Sequence, residues 1–313
     1  MSGAPRGIES DFPLSRLTTV RTGGTAEYFA RPATVAALRR CLCWAAEERL
    51  KVGVVGSGSN LLIADAGVHG LVLKLERGLA AIEVDGERLL CGGGARLPRA
   101  AAKSASLGLS GLEFGVNIPG TVGGAVKMNA NAYGGELATV LEWVDVVTTT
   151  AVVRRTPEQL DFRYRRSNLG PDEVVARASF VSTRGDPKAI KSRLQLMRAQ
   201  RKATQPAGIK TFGSTFKNPQ GSVAAGRTAG QLLEAAGCRG LAVGGARFSP
   251  KHANFIENTG AATTADVVAL MAAGKRRVAE WFGVELEPEV QTLGLIDWSA
   301  ELRPDRPEED QDV

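Results

Sequence analysis

The chain has 313 residues, 43% of them hydrophobic and 23% charged, with a formal net charge of +6. That composition supports a sizeable core in two domains, or three small ones, and excludes a disordered or fibrous chain. No run of 18 apolar residues occurs, and the four cysteines form no CxxC pair or even-spaced framework, so a membrane-spanning helix and a disulfide scaffold are excluded as well.

Residues 1–15 lack the apolar core of a signal peptide, and a cytoplasmic protein is expected. Residues 19–75 read as a βαβ-like unit. Thr34 caps a helix with Val35, Leu38, Leu42 and Ala45 as its apolar stripe, and a short strand from Val52 to Val55 follows. That strand runs into Gly56-Ser57-Gly58-Ser59-Asn60, then Leu61. Small residues after a strand let successive N–H groups converge on an anion, and a plain tight turn fits the same residues equally well. Leu61 stands where a Rossmann fingerprint needs its third glycine, and no GxxxxGK[ST] occurs.

Residues 76–150 alternate short apolar runs with glycine clusters, which predicts strands and tight turns rather than long helices. Within them Ile118-Pro119-Gly120-Thr121-Val122-Gly123-Gly124-Ala125 offers a surface of little side-chain bulk, suited to a flat cofactor or a pyrophosphate, or else a glycine-packed turn at a sheet edge. Two such loops without a nucleoside-triphosphate motif point to a dinucleotide-like cofactor. Val144 to Val153 reads as a β-hairpin. The basic run Lys191 to Lys202 reads as a solvated helix face rather than a nucleic-acid groove. Gln205-Pro206-Ala207-Gly208 reads as a linker into a last domain. There an Ala-rich helix near 228–236 precedes a stronger one, with Val267, Leu270, Met271, Val278, Trp281 and Phe282 on one face and Thr263 or Thr264 as cap. The expected divisions are 1–75, 76–204 and 205–300, with a disordered tail over 301–313. Only His69 and His252 are available for a zinc site or a serine–histidine triad, so no metal is expected.

From about Thr18 to Gly294 the chain carries an ordered series of motifs. They are Arg21-Thr22-Gly23-Gly24, Gly56–Leu62, Gly111-Leu112-Glu113-Phe114, Ile118–Gly124, Met128-Asn129-Ala130, Phe162-x-Tyr164-Arg165-x-Ser167, Gly213-Ser214-x-Phe216-Lys217-Asn218-Pro219, Lys251–Ile256 and Leu286-Glu287-Pro288-Glu289-Val290. In this order they resemble the UDP-N-acetylenolpyruvoylglucosamine reductases, in the shorter subtype. The resemblance implies an α+β protein: an FAD-binding fold of the vanillyl-alcohol-oxidase-like type, made of two α/β subdomains, plus a C-terminal α+β substrate-binding domain. It implies FAD held without a covalent bond by Gly56, Ser57, Gly58, Ser59, Asn60 and Leu61, and by Ile118, Pro119, Gly120, Thr121, Gly123 and Gly124. NADPH is implied as co-substrate and a UDP-sugar as substrate, with no nucleic-acid partner, no membrane insertion, and a monomer or weak oligomer.

The implied chemistry accounts for the residue types. Hydride addition to an enolpyruvyl ether leaves enolate character beside a carboxylate, which an arginine fork stabilises; the resemblance assigns this to Arg165. Protonation of the neighbouring carbon falls to Ser214. Alone, these two read as a surface arginine and a turn serine. Glu285, Glu287 and Glu289 fall at two-residue spacing, as on the solvated face of a strand with Val284, Leu286 and Val290 inward; spacing picks none of them, and the resemblance picks Glu289. Tyr164, Lys217, Asn218, His252 and Asn254 are implied as substrate-binding. One departure is Asn131, where the family more often has glycine; a turn with φ > 0 would tolerate Asn. Two alternatives remain at this level. A flavin oxidase of the same fold would tether FAD through a side chain, with Cys91 the marginal candidate, and a non-catalytic nucleotide-sugar or nucleic-acid binder would be colourless.

Overall fold

The computed structural model describes residues 4–206, 208–221 and 224–298; Ala207 of the expected linker and the tail 301–313 lie outside them. Near the N-terminus four strands form a sheet in the order Ile8–Pro13, Thr25–Ala30, Val68–Leu73, Val52–Val54, the last three mutually parallel. Helix α1, Val35–Glu47, makes the crossover, as the βαβ-like pattern predicts. Thr34 caps it by accepting the Ala37 N–H at 3.1 Å. Its buried face is wider than the expected stripe, because Cys41 and Trp44 join Leu38, Leu42 and Ala45. That face lies against Leu71 and Leu73 on one side and Val147, Val174 and Ala176 of the next sheet on the other.

The second sheet is antiparallel throughout, in the order Val152–Arg155, Leu141–Val147, Val174–Val181, Arg88–Gly92, Ile82–Asp85. The predicted hairpin is there, with Val144–Val147 in register with Val152–Arg155. Over 76–150, where strands and tight turns rather than long helices are expected, two short helices also form, α2 Leu97–Ser106 and α3 Val122–Lys127. Helix α2 buries Leu97, Ala100, Ala101 and Ala105. Alanines carry little hydrophobic contrast, so this helical period is faint beside the surrounding glycines, and burial against the sheet sustains it. Helix α4, Pro187–Thr204, starts from Asp186, whose carboxylate accepts the Lys188 and Ala189 N–H groups. It buries only Ile190 and Leu194. Its basic residues are not all solvated, however: Arg193 pairs with the buried Glu113, and Arg201 donates to the Asn117 carbonyl at 2.5 Å.

Beyond residue 208, helices α5 (Ala229–Ala235) and α6 (Thr264–Phe282) begin with capping boxes, Thr228/Gln231 and Thr263/Asp266, and pack on a three-stranded antiparallel sheet, Ala242–Val243, Ala246–Phe248 and Ile256–Asn258. Helix α6 buries Val267, Leu270, Met271 and Val278 as the spacing predicts, but Trp281 is 67% exposed. In the last turn Phe282 takes the contact with the core, and Gly283, at φ 64°, ends the helix. Periodicity gives a direction on a helix, not the presence of a neighbour there. The chain then returns to the N-terminal part, where Gln291–Leu293 pairs in parallel with Leu61–Ile63. Asp65 reinforces this return by accepting the Thr264 and Ala265 N–H groups at the start of α6. Among the described residues no helix is long and apolar enough to cross a membrane.

Candidate active site

The strand Val52–Val54 delivers the first glycine loop to the second. A Cβ on Gly56 would lie 2.4 Å from Thr121 Oγ1, and one on Gly58, at φ 64°, would lie 2.0 Å from the Leu17 carbonyl oxygen. Only glycine fits either place. Ser57 Oγ donates to the Pro119 carbonyl at 2.5 Å, and Ser59 Oγ donates to the same oxygen. Thr121 caps α3, so Gly123 and Gly124 are helical rather than part of a loose loop. The two segments form one wall of a cavity of about 700 Å³. Every residue expected at the cofactor from Gly56 to Leu61, and Ile118, Pro119, Gly120, Thr121, Gly123 and Gly124, lines it.

Arg165, Ser214 and Glu289 line the same cavity. The segments 215–217 and 287–289 run antiparallel: Glu289 N–H donates to the Thr215 carbonyl at 2.8 Å and Lys217 N–H to the Glu287 carbonyl at 2.9 Å. That pairing sets Thr215 opposite Glu289, with Ser214 the next residue along the chain. Asn60 ties the second of these segments to the glycine loop, its Nδ2 donating to the Glu289 carbonyl at 3.2 Å while its own carbonyl accepts the Gln291 N–H at 3.2 Å. Alternation alone would put the three acids on one face; the pairing with 215–217 and the contact with Arg165 sort them. Val284, Leu286 and Val290 are buried, the Glu287 side chain is 75% exposed, and Glu289 is turned inward at 14%. Arg165 comes from the turn 163–166 with φ 56°, and its Nε donates to Glu289 Oε1 at 2.7 Å. Burial pushes the Glu289 carboxyl above its usual value, against the opposing pull of Arg165 and, more weakly, Lys217.

Five expected residues lie outside the cavity lining: Tyr164, Lys217, Asn218, His252 and Asn254. The Tyr164 ring backs the Arg165 guanidinium at 5.0 Å. Lys217 Nζ pairs with Glu287, and Asn218 Oδ1 accepts the Ala229 N–H at the start of α5. His252 Nδ1 accepts the Asn254 N–H, its ring packed on Phe255, and burial lowers its pKa. Asn254 spends both ends of its amide on the Phe216 backbone, at 2.9 and 2.8 Å. Conversely, Lys74, Arg96, Asn131, Tyr133 and Arg201 line the cavity without having been singled out as binding residues. For Arg201 the signal is its place seven residues beyond Leu194 and four beyond Met197, on the packed face of a basic helix; for Lys74, Arg96 and Tyr133 the sequence carries none. The Asn131 departure also has a different basis from the expected one: φ > 0 is adopted by Asn129 and Tyr133 and not by Asn131, which sits in the short strand Asn131–Ala132 and accepts from Arg165 Nη1 at 2.7 Å.

The cavity suits FAD on its own terms. Gly93 and Gly94 stand on its wall, where a Cβ on Gly93 would lie 1.8 Å from the Val175 carbonyl oxygen, so bare backbone faces the space. No cysteine or histidine is among the lining residues, and Cys91 is fully buried with its thiol pushed up to about 12, which removes it as a tether. Residues 26–156 match the family model of an FAD binding domain, and residues 205–293 match that of the UDP-N-acetylenolpyruvoylglucosamine reductase C-terminal domain. A protein of Heliobacterium modesticaldum called UDP-N-acetylenolpyruvoylglucosamine reductase is 43% identical over 284 residues, 90% of this chain and 89% of its own length. This chain belongs to that reductase family. A relative of the same name from Rubrobacter xylanophilus is 42% identical, over 91% of this chain and 94% of its own. The crystal structure of the Thermus caldophilus reductase superposes with a TM-score of 0.79 at 36% identity, covering 91% of this chain and 98% of that one. Family membership makes the chain an oxidoreductase with an α+β fold and an FAD-binding domain. The cavity draws its walls from both matched segments, and Arg165 enters from the stretch between them.

Proposed function

We propose that the chain reduces the enolpyruvyl ether of UDP-N-acetylglucosamine to UDP-N-acetylmuramate in the cytoplasm, for peptidoglycan precursor synthesis, with non-covalent FAD and NADPH as reductant. The observation that carries this reading is the convergence of Arg165, Ser214 and Glu289 on a cavity walled by both glycine loops. Bound there, FAD supplies the hydride that adds to the enolpyruvyl methylene carbon. Arg165 keeps N–H groups beyond those given to Glu289 and Asn131, and these grip the substrate carboxylate and hold the developing enolate charge. The Ser214 hydroxyl gives its proton to the adjacent carbon, completing the lactyl ether. Glu289 lies one backbone away with a raised pKa and returns a proton to the serine oxygen. The lining cations Lys74, Arg96 and Arg201 suit the phosphates of the two nucleotides. In this reading residues 1–75 and 76–204 clasp the flavin, residues 205–300 close over the sugar nucleotide, and the chain works as a monomer or weak oligomer.

The test is the visible spectrum of the purified protein under anaerobic titration. The expected result is a yellow protein bleached by NADPH and re-oxidised by the enolpyruvyl sugar nucleotide. Bleaching with no re-oxidation by that sugar would assign a different acceptor, and a colourless protein that cannot take up FAD would overturn the reading.

A further inference from the structure

Arg165 is held from two sides by acceptors of different character: Glu289, which titrates, and Asn131, which does not. We propose that Asn131 is a positioning residue that keeps Arg165 aimed into the cavity whether or not Glu289 carries a proton, and thereby sets the affinity for the substrate carboxylate. This rests on the reading of Arg165 as the carboxylate-binding group.

The acceptor is rigidly mounted. The strand Asn131–Ala132 pairs with Gly135–Glu136, and the two residues that close the hairpin, Tyr133 and Gly134, have φ 53° and 78°, as the tightest hairpin turns require. Asn129, buried and at φ 40°, braces the hairpin to the turn that carries Arg165. Its Nδ2 donates to the Glu136 carboxylate and to the Arg163 carbonyl at 3.3 Å, and its Oδ1 accepts the Ala138 N–H at 3.3 Å. Arg163 and Arg166 close that turn by exchanging backbone bonds of 2.9 and 3.1 Å. The backbone of Arg165 and the oxygen that receives its Nη1 are thus parts of one braced unit. Because φ at Asn131 is not positive, no backbone need accounts for an asparagine there; its side-chain contact does.

The Glu289 side of the clamp is conditional. The charged groups acting on it are Arg165 and Lys217, and Lys217 Nζ is drawn the other way by Glu287 at 3.0 Å. Once Glu289 is protonated the ion pair is gone, and a guanidinium half free in a cleft loses its aim. An amide oxygen at 2.7 Å holds through that change.

The experiment uses the full-length flavin-loaded protein labelled with ¹⁵N-arginine and read at low temperature, the signal of the Arg165 Nη1–H that faces Asn131 being assigned by Arg165→Lys. In the parent protein this signal should stay protected from water exchange as pH falls through the Glu289 titration. In Asn131→Ala it should lose protection over that range, and Asn131→Asp, which keeps an oxygen in place, should restore it. In parallel, KM for the enolpyruvyl sugar should rise about tenfold in Asn131→Ala at the acid end and less at the alkaline end. Flavin content and flavin reduction by NADPH should stay within about twofold. A protected signal in Asn131→Ala at every pH overturns the proposal, and so does a KM rise matched by equal loss of flavin. If the parent protein does not turn over this sugar, the proposed reaction falls, and the exchange measurement still decides the role of Asn131.

Discussion

Glu289, to which the proposed reaction gives a proton-returning role, is a charge that burial opposes. Its folded pKa is raised above the usual 4.5, chiefly by burial, so the folded chain retains a proton that the unfolded chain releases. Stability therefore falls as pH climbs from the unfolded value through the raised one, and at neutral pH the buried carboxylate is a net cost. Glu289→Gln is accordingly expected to melt no lower than the parent protein at pH 8, and to lose the slope of stability across that window, while turnover drops on the order of a hundredfold. Thermal melts at pH 5 and pH 8 beside steady-state rates check this; a lower melting temperature at pH 8 would mean that the ion pair with Arg165 outweighs burial. For Ser214→Ala, flavin reduction by NADPH should be near normal while sugar-dependent re-oxidation slows by about 10²-fold or more, measured by anaerobic stopped flow. Unchanged re-oxidation would remove Ser214 from the reaction.

Segments are set in place by contacts that none of them encodes alone. The first glycine loop takes its shape from Leu17 and Thr121, and a side chain at Gly58 meets the Leu17 carbonyl head on. Gly58→Ala should cost about 2 kcal/mol in chemical denaturation and release flavin, since the residue sits at positive φ as well. Helix α4 is fastened in a comparable way. Glu113 is buried, but its carboxylate accepts from the Gly111 N–H at 2.6 Å, Ser110 Oγ at 2.7 Å and Arg193 at 2.7 Å, and these bonds hold its pKa below the usual value against burial. The stabilisation is present above the ordinary carboxylate range and is lost as pH falls through the lowered folded value. Glu113→Ala should destabilise the chain by about 2 kcal/mol at pH 7, a difference from the parent that narrows in acid. Equal loss at pH 7 and pH 3 would show packing rather than charge. Helix α4 itself was legible from its spacing, whereas the alanine face of α2 was not, because alanine marks a helix face only when something packs on it.

At the scale of the molecule, the two ends of the chain are joined by few but specific contacts. Asp65 caps α6 from 199 residues away, Thr264 Oγ1 donates to the Ile63 carbonyl at 2.6 Å, and Leu61–Ile63 pairs with Gln291–Leu293. Leu293 also fills the space that a side chain on Gly53 would take. Leu61 and Gln291–Leu293 themselves line the cavity beside Gly56–Asn60 and Glu289, so this joint keeps its N-terminal and C-terminal walls in one register. Asp65→Ala should lower stability by about 1 kcal/mol and raise KM for the sugar more than it lowers flavin content. Equal effects on both would mean that the joint supports the fold without setting the cleft.

Most of the local organisation was determined by the sequence alone. Thr34 and Thr263 cap the expected helices, and the Val- and Thr-rich stretch forms the hairpin. Such features depend on backbone geometry and side-chain period, which act within a few residues. The tertiary structure alone decided which of Glu285, Glu287 and Glu289 faces inward, that Arg165 finds Glu289 across 124 residues, and that Asn254, His252 and Asn218 are taken up by packing. It also turned Arg201 out of solvent and put an amide at residue 131 within reach of the guanidinium. Those outcomes depend on desolvation and on partners distant in sequence, and neither is present until the chain has closed on itself.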